Sequence, residues 1–225
     1  MILFAGDCHG EFRQIAEAVV QTAPEAVILL GDLELRRPLH EELASVMHRA
    51  EVWWIPGNHE FEDEASYDRV FDSSLSHRNL HGQVVEVGGY RIAGLGGVFH
   101  RKIWDPKHPG GSTPRFSKRT DYLAQMGKGN AWRGALPLRR RGAIWKEDLD
   151  MLACQRADIL VTHEAPSCHP LGYVAIDELA ESMGVQLIVH GHHHETYRKA
   201  FSGGVVQGVG QATVVDLDGQ RVAWA

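Results

Sequence analysis

Short apolar strands in this chain end repeatedly at a cluster of acidic, amide or histidine side chains. The clusters are Gly6-Asp7-Cys8-His9, Gly31-Asp32, Gly57-Asn58-His59-Glu60, His163-Glu164 and Gly191-His192-His193-His194. Ligand sites in sheets with helical connections gather where the strands end, so we expect these five clusters to meet. A fold that brings five strand ends to one edge is the strongest constraint that the sequence sets.

The first quarter of the chain alternates strands and amphipathic helices. Apolar runs predict strands at 1–6, 26–30 and 52–55, and helical spacing predicts helices at 11–22 and 39–49. Strand–helix–strand order is typical of parallel sheets with helical crossovers. We therefore predict a parallel sheet in this part of the chain.

Later segments extend this pattern with antiparallel strands. Alternating residues around Gly88-Gly89 predict a β-hairpin at 83–87 and 90–95. Further predicted elements are helices at 144–155 and 174–183, strands at 159–162 and 187–190, and short antiparallel strands in the tail, 196–225. We predict one domain over residues 1–225 with an α/β fold, in which two mixed β-sheets form a four-layer α/β/β/α sandwich.

A basic, Gly- and Pro-rich insertion at 100–142 interrupts the regular pattern. It holds eleven Lys or Arg and only two acids, although the whole chain has a net charge of -6. Its aromatic residues are Trp104, Phe116, Tyr122 and Trp132. One interpretation is a flap near the active site that holds phosphates and stacks bases, with Arg139, Arg140 and Arg141 binding substrate. The other is a solvated basic loop whose aromatic side chains pack onto the body.

The composition and the apolar pattern predict a protein with reduced cysteines and no membrane-spanning segment. Three cysteines, none in a CxxC pair, are too few for a disulfide framework. No apolar run reaches the roughly 20 residues needed to span a bilayer, and no basic segment followed by an apolar one marks a signal peptide. We expect a cytoplasmic protein without a membrane partner, and the sequence carries no signal for an oligomeric state.

The five clusters supply the donors of a metal site. The donors are the carboxylates of Asp7 and Asp32, the amide of Asn58 and the imidazoles of His9, His59, His163, His192 and His194. Mixed imidazole and carboxylate donors suit Mn²⁺, Fe or Zn²⁺. These donors are more than one ion needs. They suit two ions about 3.5–4 Å apart that share a carboxylate, and such a pair can hydrolyse a phosphate ester. In extended backbone Asp7 and His9 would point the same way, as would His192 and His194.

The order of these clusters resembles the calcineurin-like metallophosphoesterase family. The motifs D-x-H, G-D, G-N-H-E, a later His and G-H-x-H follow one another within residues 5–195. The resemblance implies a dinuclear metal-dependent phosphoric ester hydrolase. Its cofactors would be two divalent metal ions, with Mn²⁺ favoured and Fe or Zn²⁺ as alternatives.

The resemblance also implies a role for each donor. One ion would be held by Asp7, His9, Asp32 and His194. The second would be held by Asp32, Asn58, His163 and His192, with Asp32 bridging. His59 would contact the phosphate and protonate the leaving oxygen. The residues expected in catalysis are therefore His59, Asp32 and Asn58.

Two further comparisons bear on the substrate. In the phosphoprotein phosphatase branch, an Asp that pairs with the catalytic histidine stands where this chain has Leu35, so the orienting partner of His59 is open. Segments 6–11, 57–60 and 91–99 resemble the RNA lariat-debranching branch, whose members cleave 2′–5′ phosphodiesters. That branch typically carries Cys at the position of Asp7.

We therefore predict a phosphodiesterase that acts on a nucleotide or nucleic-acid phosphodiester through a metal-bridging hydroxide. The alternatives are a phosphomonoesterase or phosphoprotein phosphatase, a nucleotide pyrophosphohydrolase and, most remotely, a non-catalytic scaffold. Glu60 and Glu164 are expected either to orient neighbouring histidines or to cap the following helix. His190 and His193 are expected in structural or outer positions, and Cys8 is expected to be buried.

Overall fold

A computed structural model describes residues 1–107 and 113–222 of the chain. The strands are β1 Ile2–Ala5, β2 Ala26–Leu29, β3 Glu51–Trp54, β4 Val84–Val87, β5 Tyr90–Leu95, β6 Ile159–Thr162, β7 Leu187–His190, β8 Tyr197–Phe201, β9 Gly204–Gly208 and β10 Val214–Val215. The helices are α1 Arg13–Thr22, α2 Leu39–Glu42, α3 Ala44–Met47, α4 Glu64–Phe71, α5 Arg119–Gln125, α6 Leu138–Arg141, α7 Lys146–Ala153 and α8 Val174–Met183. Short 3-10 turns cover His59–Phe61, Ser76–Arg78 and Lys128–Asn130.

The strands form two mixed sheets. One has four strands in the order β10-β1-β2-β3, and the other has six in the order β4-β5-β6-β7-β9-β8. Strands β1, β2 and β3 are parallel to one another, as are β5, β6, β7 and β9, whereas β10, β4 and β8 pair antiparallel with their neighbours. The carboxyl ends of the parallel strands therefore lie together at one edge of each sheet.

Alternation along the strands builds three hydrophobic cores. In β1, Ile2 and Phe4 belong to a core that also contains Val161 and therefore lies between the sheets. Leu3 lies on the opposite face, in a core that it shares with Ile15 of α1. A third core joins the six-stranded sheet to α7 and α8. Helices thus cover both outer faces, and the predicted four-layer α/β/β/α sandwich is confirmed.

Helix 39–49 was predicted as one element, and that prediction is wrong. The segment forms two single-turn helices, α2 and α3, that meet at Leu43, whose φ of -103° and ψ of 18° depart from helical values. The turn still buries Leu43 and Val46, but Met47 is exposed rather than inward. Burial of the two apolar side chains, not helical continuity, decides this conformation.

The basic segment 100–142 is largely ordered against the body of the protein, apart from residues 108–112, which lie outside the described residues. Trp104 is buried in the core that holds α7 and α8, and Phe116 and Tyr122 pack against that core. Trp132 makes an edge-on contact with Tyr67, with 4.9 Å between ring centroids. The aromatic side chains of the segment therefore serve packing, as the second interpretation predicted.

An ion pair fastens this segment to the body. The Arg119 guanidinium donates to both carboxylate oxygens of Asp148, at 2.6 and 2.9 Å, and to Glu147 at 2.8 Å. Asp148 is buried and also accepts a hydrogen bond from the Trp145 N–H. Arg119 lies in α5, whereas Asp148 and Glu147 lie in α7, so these bonds tie the two helices together.

All three cysteines are free, and Cys8 is buried as predicted. Within residues 1–107 and 113–222, no helix combines the length and the apolar character needed to cross a membrane.

We predict that Arg119→Ala destabilises the fold. The change leaves the buried Asp148 carboxylate without its guanidinium partner, which should cost about 2–4 kcal/mol of unfolding free energy in urea denaturation. Arg91→Ala is the matched control, because it removes the same side chain from the exposed pair with Asp158 and should change stability less. Equal losses in the two variants would contradict the prediction.

Candidate metal centre

Five strand ends deliver the predicted donors to one place. Asp7 and His9 follow β1, Asp32 follows β2, and Asn58 follows β3. His163 and His192 follow β6 and β7 in the other sheet, so the site lies where the carboxyl ends of both sheets meet.

The first donor group consists of Asp7, His9 and His194, whose ligand atoms lie within 4.8 Å of one another. The Nε2 atoms of His9 and His194 are 3.0 Å apart. Asp7 Oδ2 lies 3.3 Å from Nε2 of His194. Asp7 is fully buried, whereas His194 is largely exposed, so the group is open to solvent on one side.

The second donor group consists of Asp32, His163 and His192. Asp32 Oδ2 lies 3.3 Å from Nε2 of His163, which in turn lies 3.1 Å from Nδ1 of His192. The other ring nitrogen of His163 donates to the Leu30 carbonyl at 2.7 Å, which leaves Nε2 facing the site.

The two groups are adjacent. Asp7 Oδ1 lies 3.9 Å from Nδ1 of His163, so the first carboxylate touches a member of the second group. Asp32 Oδ1 accepts hydrogen bonds from the backbone N–H groups of Asn58 and His59, at 2.8 and 3.0 Å. These bonds hold the backbone of Asn58 and His59 beside Asp32 of the second group.

His59 lies at the solvent side of the site and is half-buried. Its Nε2 is 3.8 Å from Oδ2 of Asp32. Its Nδ1 lies 3.2 Å from a carboxylate oxygen of Glu34 and 3.4 Å from one of Glu62. Glu34 was not among the predicted site residues, because nothing in the local sequence places it near His59.

Several donor residues of the site have a left-handed backbone conformation, which sets the direction of their side chains. Five residues of the site have positive φ without being glycine: His9, Asp32, Glu34, His192 and His194. The expectation that the D-x-H and H-x-H segments are extended is therefore wrong. His192 and His194 still enter different donor groups, as the family resemblance implied, and Asp7 and His9 enter one. Such backbone costs of order 1–3 kcal/mol per residue and persists only where surrounding contacts impose it.

Two glycines leave room for the carboxylates. A Cβ at Gly57 would collide with Oδ1 of Asp32, and a Cβ at Gly191 would collide with Oδ1 of Asp7. The glycines in the G-N-H-E and G-H-x-H motifs are thus required by close approach of the chain to the donors.

Glu60 and Glu164 support the site in ways that sequence inspection left open. Glu60 is buried, and its carboxylate accepts hydrogen bonds from the N–H groups of Leu33, Gly57 and Asp32, at 2.6, 2.6 and 3.2 Å. It therefore fastens the two loops that carry Asp32 and Asn58 and contacts no histidine through these bonds. Glu164 accepts from the Phe99 N–H, and its second oxygen lies 3.9 Å from Nε2 of His192.

The electrostatics of the cluster favour a bound cation. Burial raises the pKa of Asp7. Burial also disfavours the charged form of Asp32, but the charge and the hydrogen bond of His163 outweigh it and hold the Asp32 pKa below its usual range. Burial likewise lowers the pKa of His163, but the Asp32 and Asp7 carboxylates overcome it and raise that pKa to about 10. The buried carboxylates therefore demand positive charge beside them.

Several buried oxygen atoms of the donor set have no hydrogen-bond partner in the described part of the chain and are therefore free to bind a metal ion. Both carboxylate oxygens of Asp7 and the side-chain oxygen of Asn58 are buried and have no hydrogen-bond partner among the described residues. Buried polar atoms without a partner are costly and rare, so such atoms at a cluster of imidazoles and carboxylates are suited to metal coordination.

Two further histidines, His190 and His193, lie beside the donor groups. The His193 ring stacks on His169 with 4.0 Å between centroids, and Nε2 of buried His190 lies 2.6 Å from the Tyr197 hydroxyl. Burial lowers the pKa of His190 to about 4, so it is neutral at pH 7. His190 therefore has the structural position that the sequence predicted. A ligand atom of His193 lies within 4.8 Å of those of His192 and Glu164, so its outer position stays a prediction.

The three arginines of α6 differ in their contacts. Arg140 Nη1 lies 2.6 Å from Nε2 of His100, and Arg141 donates to the Tyr67 hydroxyl and to backbone carbonyls. Arg139 is exposed and makes no ion pair or side-chain hydrogen bond within the described part of the chain. Of the three, Arg139 is therefore the one with an available charge.

Comparison with known proteins agrees with this fold. The calcineurin-like phosphoesterase family model matches residues 1–196. A Haemophilus influenzae protein, described as uncharacterized, is 40% identical over 221 residues, which cover 97% of this chain and 95% of that protein. Among solved structures, TT1561 of Thermus thermophilus has a TM-score of 0.55 at 18% identity, with 99% of this chain and 98% of that chain covered. Phosphopantetheinyl hydrolase from Mycobacterium tuberculosis has a TM-score of 0.50 at 17% identity, with 94% and 89% covered.

The fold and the family match together define a hydrolase that cleaves phosphate esters with the help of divalent metal ions. The chain belongs to the calcineurin-like phosphoesterase family, as the order of its motifs predicted. Membership in this family of hydrolases removes the support for a non-catalytic scaffold.

We predict that metal binding releases the proton of His163. In the metal-free protein the pKa of His163 is about 10, and only a neutral imidazole can coordinate an ion. Apparent affinity for Mn²⁺ should therefore weaken as the pH falls and strengthen as it rises toward that value. Calorimetric titration at pH 8 in two buffers of different ionisation enthalpy measures the proton release, and His163→Asn should release fewer protons. A titration whose heat is independent of the buffer would contradict the prediction.

Proposed function

We propose that the chain is a phosphodiesterase that acts on a nucleotide or nucleic-acid phosphodiester with two divalent metal ions. Mn²⁺ is the favoured metal, and Fe or Zn²⁺ are the alternatives. The observation that carries the proposal is the pair of adjacent donor groups, one around Asp7 and one around Asp32, each with two imidazoles.

The donor geometry supports the ligand assignment that the family resemblance implies. One ion would be held by Asp7, His9, Asp32 and His194, and the other by Asp32, Asn58, His163 and His192. Asp32 suits the shared position because it contacts the second group directly and its charge acts on Asp7 of the first. Ions held there stabilise charge on the phosphate and make a water molecule more acidic.

His59 is placed to complete the hydrolysis. Its Nε2 faces the donor groups, and the ring is accessible enough to meet a phosphate ester. Water forms a bond to phosphorus and loses a proton to solvent, and the bond from phosphorus to the leaving oxygen breaks. That oxygen keeps the electron pair and takes the Nε2 proton of His59. Asp32 and Asn58 contribute by fixing the second donor group.

The substrate class is argued from the likeness of residues 6–11, 57–60 and 91–99 to the debranching branch. Leu35 in place of the phosphatase Asp also weighs against a phosphoprotein phosphatase, but only weakly, because Glu34 places another carboxylate beside His59. The alternatives are a phosphomonoesterase or phosphoprotein phosphatase and a nucleotide pyrophosphohydrolase.

We predict diester turnover well above monoester turnover. The protein would be stripped of metal, resupplied with Mn²⁺, Fe²⁺ or Zn²⁺, and assayed on bis-p-nitrophenyl phosphate and p-nitrophenyl phosphate. Asp32→Asn should lower the rate by about a hundredfold or more, since it weakens both donor groups. Asp158→Asn is the matched control. Asp158 pairs with Arg91, belongs to neither donor group and has a side chain that is 40% exposed, so this variant should retain activity. Preference for the monoester would favour the phosphatase alternative.

We propose that the basic segment supplies cations for an extended anionic substrate, chiefly through Arg139. Arg139→Ala should raise the KM for an oligonucleotide about two- to fivefold at low salt, and the effect should shrink as salt rises. Arg139→Lys keeps the charge and should stay near wild type. Joint replacement of Arg139, Arg140 and Arg141 by Gln that leaves KM unchanged for every active substrate would refute this role.

A further inference from the structure

One carboxylate at the site joins two histidines that have different roles. Glu34 Oε1 lies 2.9 Å from Nδ1 of His9 and 3.2 Å from Nδ1 of His59. The two rings meet edge to face, with centroids 5.2 Å apart. The same three side chains form a group whose ligand atoms lie within 4.8 Å of one another.

This contact orients both imidazoles. A carboxylate at Nδ1 favours the tautomer with a proton on that nitrogen and turns Nε2 away from it. Nε2 of His9 then faces His194 at 3.0 Å, and Nε2 of His59 faces Asp32 at 3.8 Å. Each ring thus presents Nε2 to the centre of the site because Glu34 occupies the other nitrogen.

Contacts on both sides hold Glu34 in place. Its φ of +48° is unfavourable for a residue with a side chain. Leu33 and Leu35, its neighbours, are buried in the core, and the Leu33 N–H donates to Glu60 at 2.6 Å. The Leu33 carbonyl accepts from the Gly10 N–H at 2.9 Å. The Glu34 side chain itself is 45% exposed, so packing does not explain its position.

We infer that Glu34 is the positioning residue for His59, with His9 as its second partner, and that it takes the place of the carboxylate absent at Leu35. The inference rests on the proposed hydrolysis of a phosphate ester. Glu34 at Nδ1 holds the His59 ring so that Nε2 faces the site, where the leaving oxygen would lie. When the bond to the leaving oxygen breaks, that ring gives its Nε2 proton to the oxygen and becomes neutral, and the Nδ1 proton stays directed at Glu34.

Leaving-group dependence tests this role. Wild type, Glu34→Gln, His59→Asn and the double variant would be assayed at saturating Mn²⁺ on methyl p-nitrophenyl phosphate and methyl phenyl phosphate. If monoesters are preferred, the matching monoester pair is used, so the fate of the diester proposal does not decide the test. Because the phenolate of phenol is more basic and needs the proton more, Glu34→Gln should lower kcat on the phenyl ester about tenfold or more and on the nitrophenyl ester much less. The double variant should lose little beyond His59→Asn alone.

Glu62→Gln distinguishes the two carboxylates near His59. Glu62 also approaches Nδ1 of His59, at 3.4 Å, but contacts no other ring of the site. It should show a smaller loss and weaker leaving-group dependence than Glu34→Gln. The inference would be overturned if Glu34→Gln lowered kcat equally on both esters, or if its loss added to that of His59→Asn in the double variant. It would also be overturned if only Glu62→Gln showed the leaving-group dependence expected of Glu34→Gln.

A measurement independent of turnover completes the test. In the Zn²⁺-loaded protein, proton spectra should show downfield Nδ1–H resonances of His9 and His59, and both should shift in Glu34→Gln. Glu34→Asp, which keeps the charge, should restore at least part of the activity. Unshifted resonances, or a third equivalent of bound metal that is lost in Glu34→Gln, would overturn the positioning role.

Discussion

The contact between Asp32 and His163 joins the two halves of the protein. Asp32 ends a strand of the four-stranded sheet, and His163 ends a strand of the six-stranded sheet, yet their side chains lie 3.3 Å apart. That distance is set by the apolar core between the sheets, in which Ile28 and Val161 are both buried. Packing between the sheets therefore sets the geometry of the site, and a change in that core would be felt at the donors.

The site concentrates features that oppose folding. Buried carboxylates, a charged buried imidazole and left-handed backbone at non-glycine residues each cost free energy. The fold offsets them with specific contacts, above all the Glu60 carboxylate, which accepts three backbone N–H groups from the loops that carry Asp32 and Asn58. A bound cation would relieve the remaining imbalance, because the unpartnered oxygens of Asp7 and Asn58 would then have a ligand.

Charge alone gives a misleading picture of the basic segment 100–142. Its excess of Lys and Arg resembles a surface for anions, but Arg119 is engaged with Asp148, Arg133 with Asp68, and Arg141 lies over the Trp132 ring. Much of the charge therefore ties the segment to the body. Among the cations that remain exposed, Arg139 has no ion pair or side-chain hydrogen bond within the described residues.

Apart from helices α4, α5 and α6, which it did not indicate, and the division of 39–49 into two turns, the sequence by itself determined the order of strands and helices, the layer arrangement and the set of side chains that gather at the strand ends. These follow from hydrophobic periodicity and from the rule that parallel strands end at a common edge. The family resemblance implied how the donors divide into two groups, but only the tertiary structure decided that Glu34 meets His59 and that Glu60 joins two loops. The reason is physical: left-handed turns at Asp32, Glu34 and His192 are imposed by contacts from distant segments, and local propensity carries no signal for them.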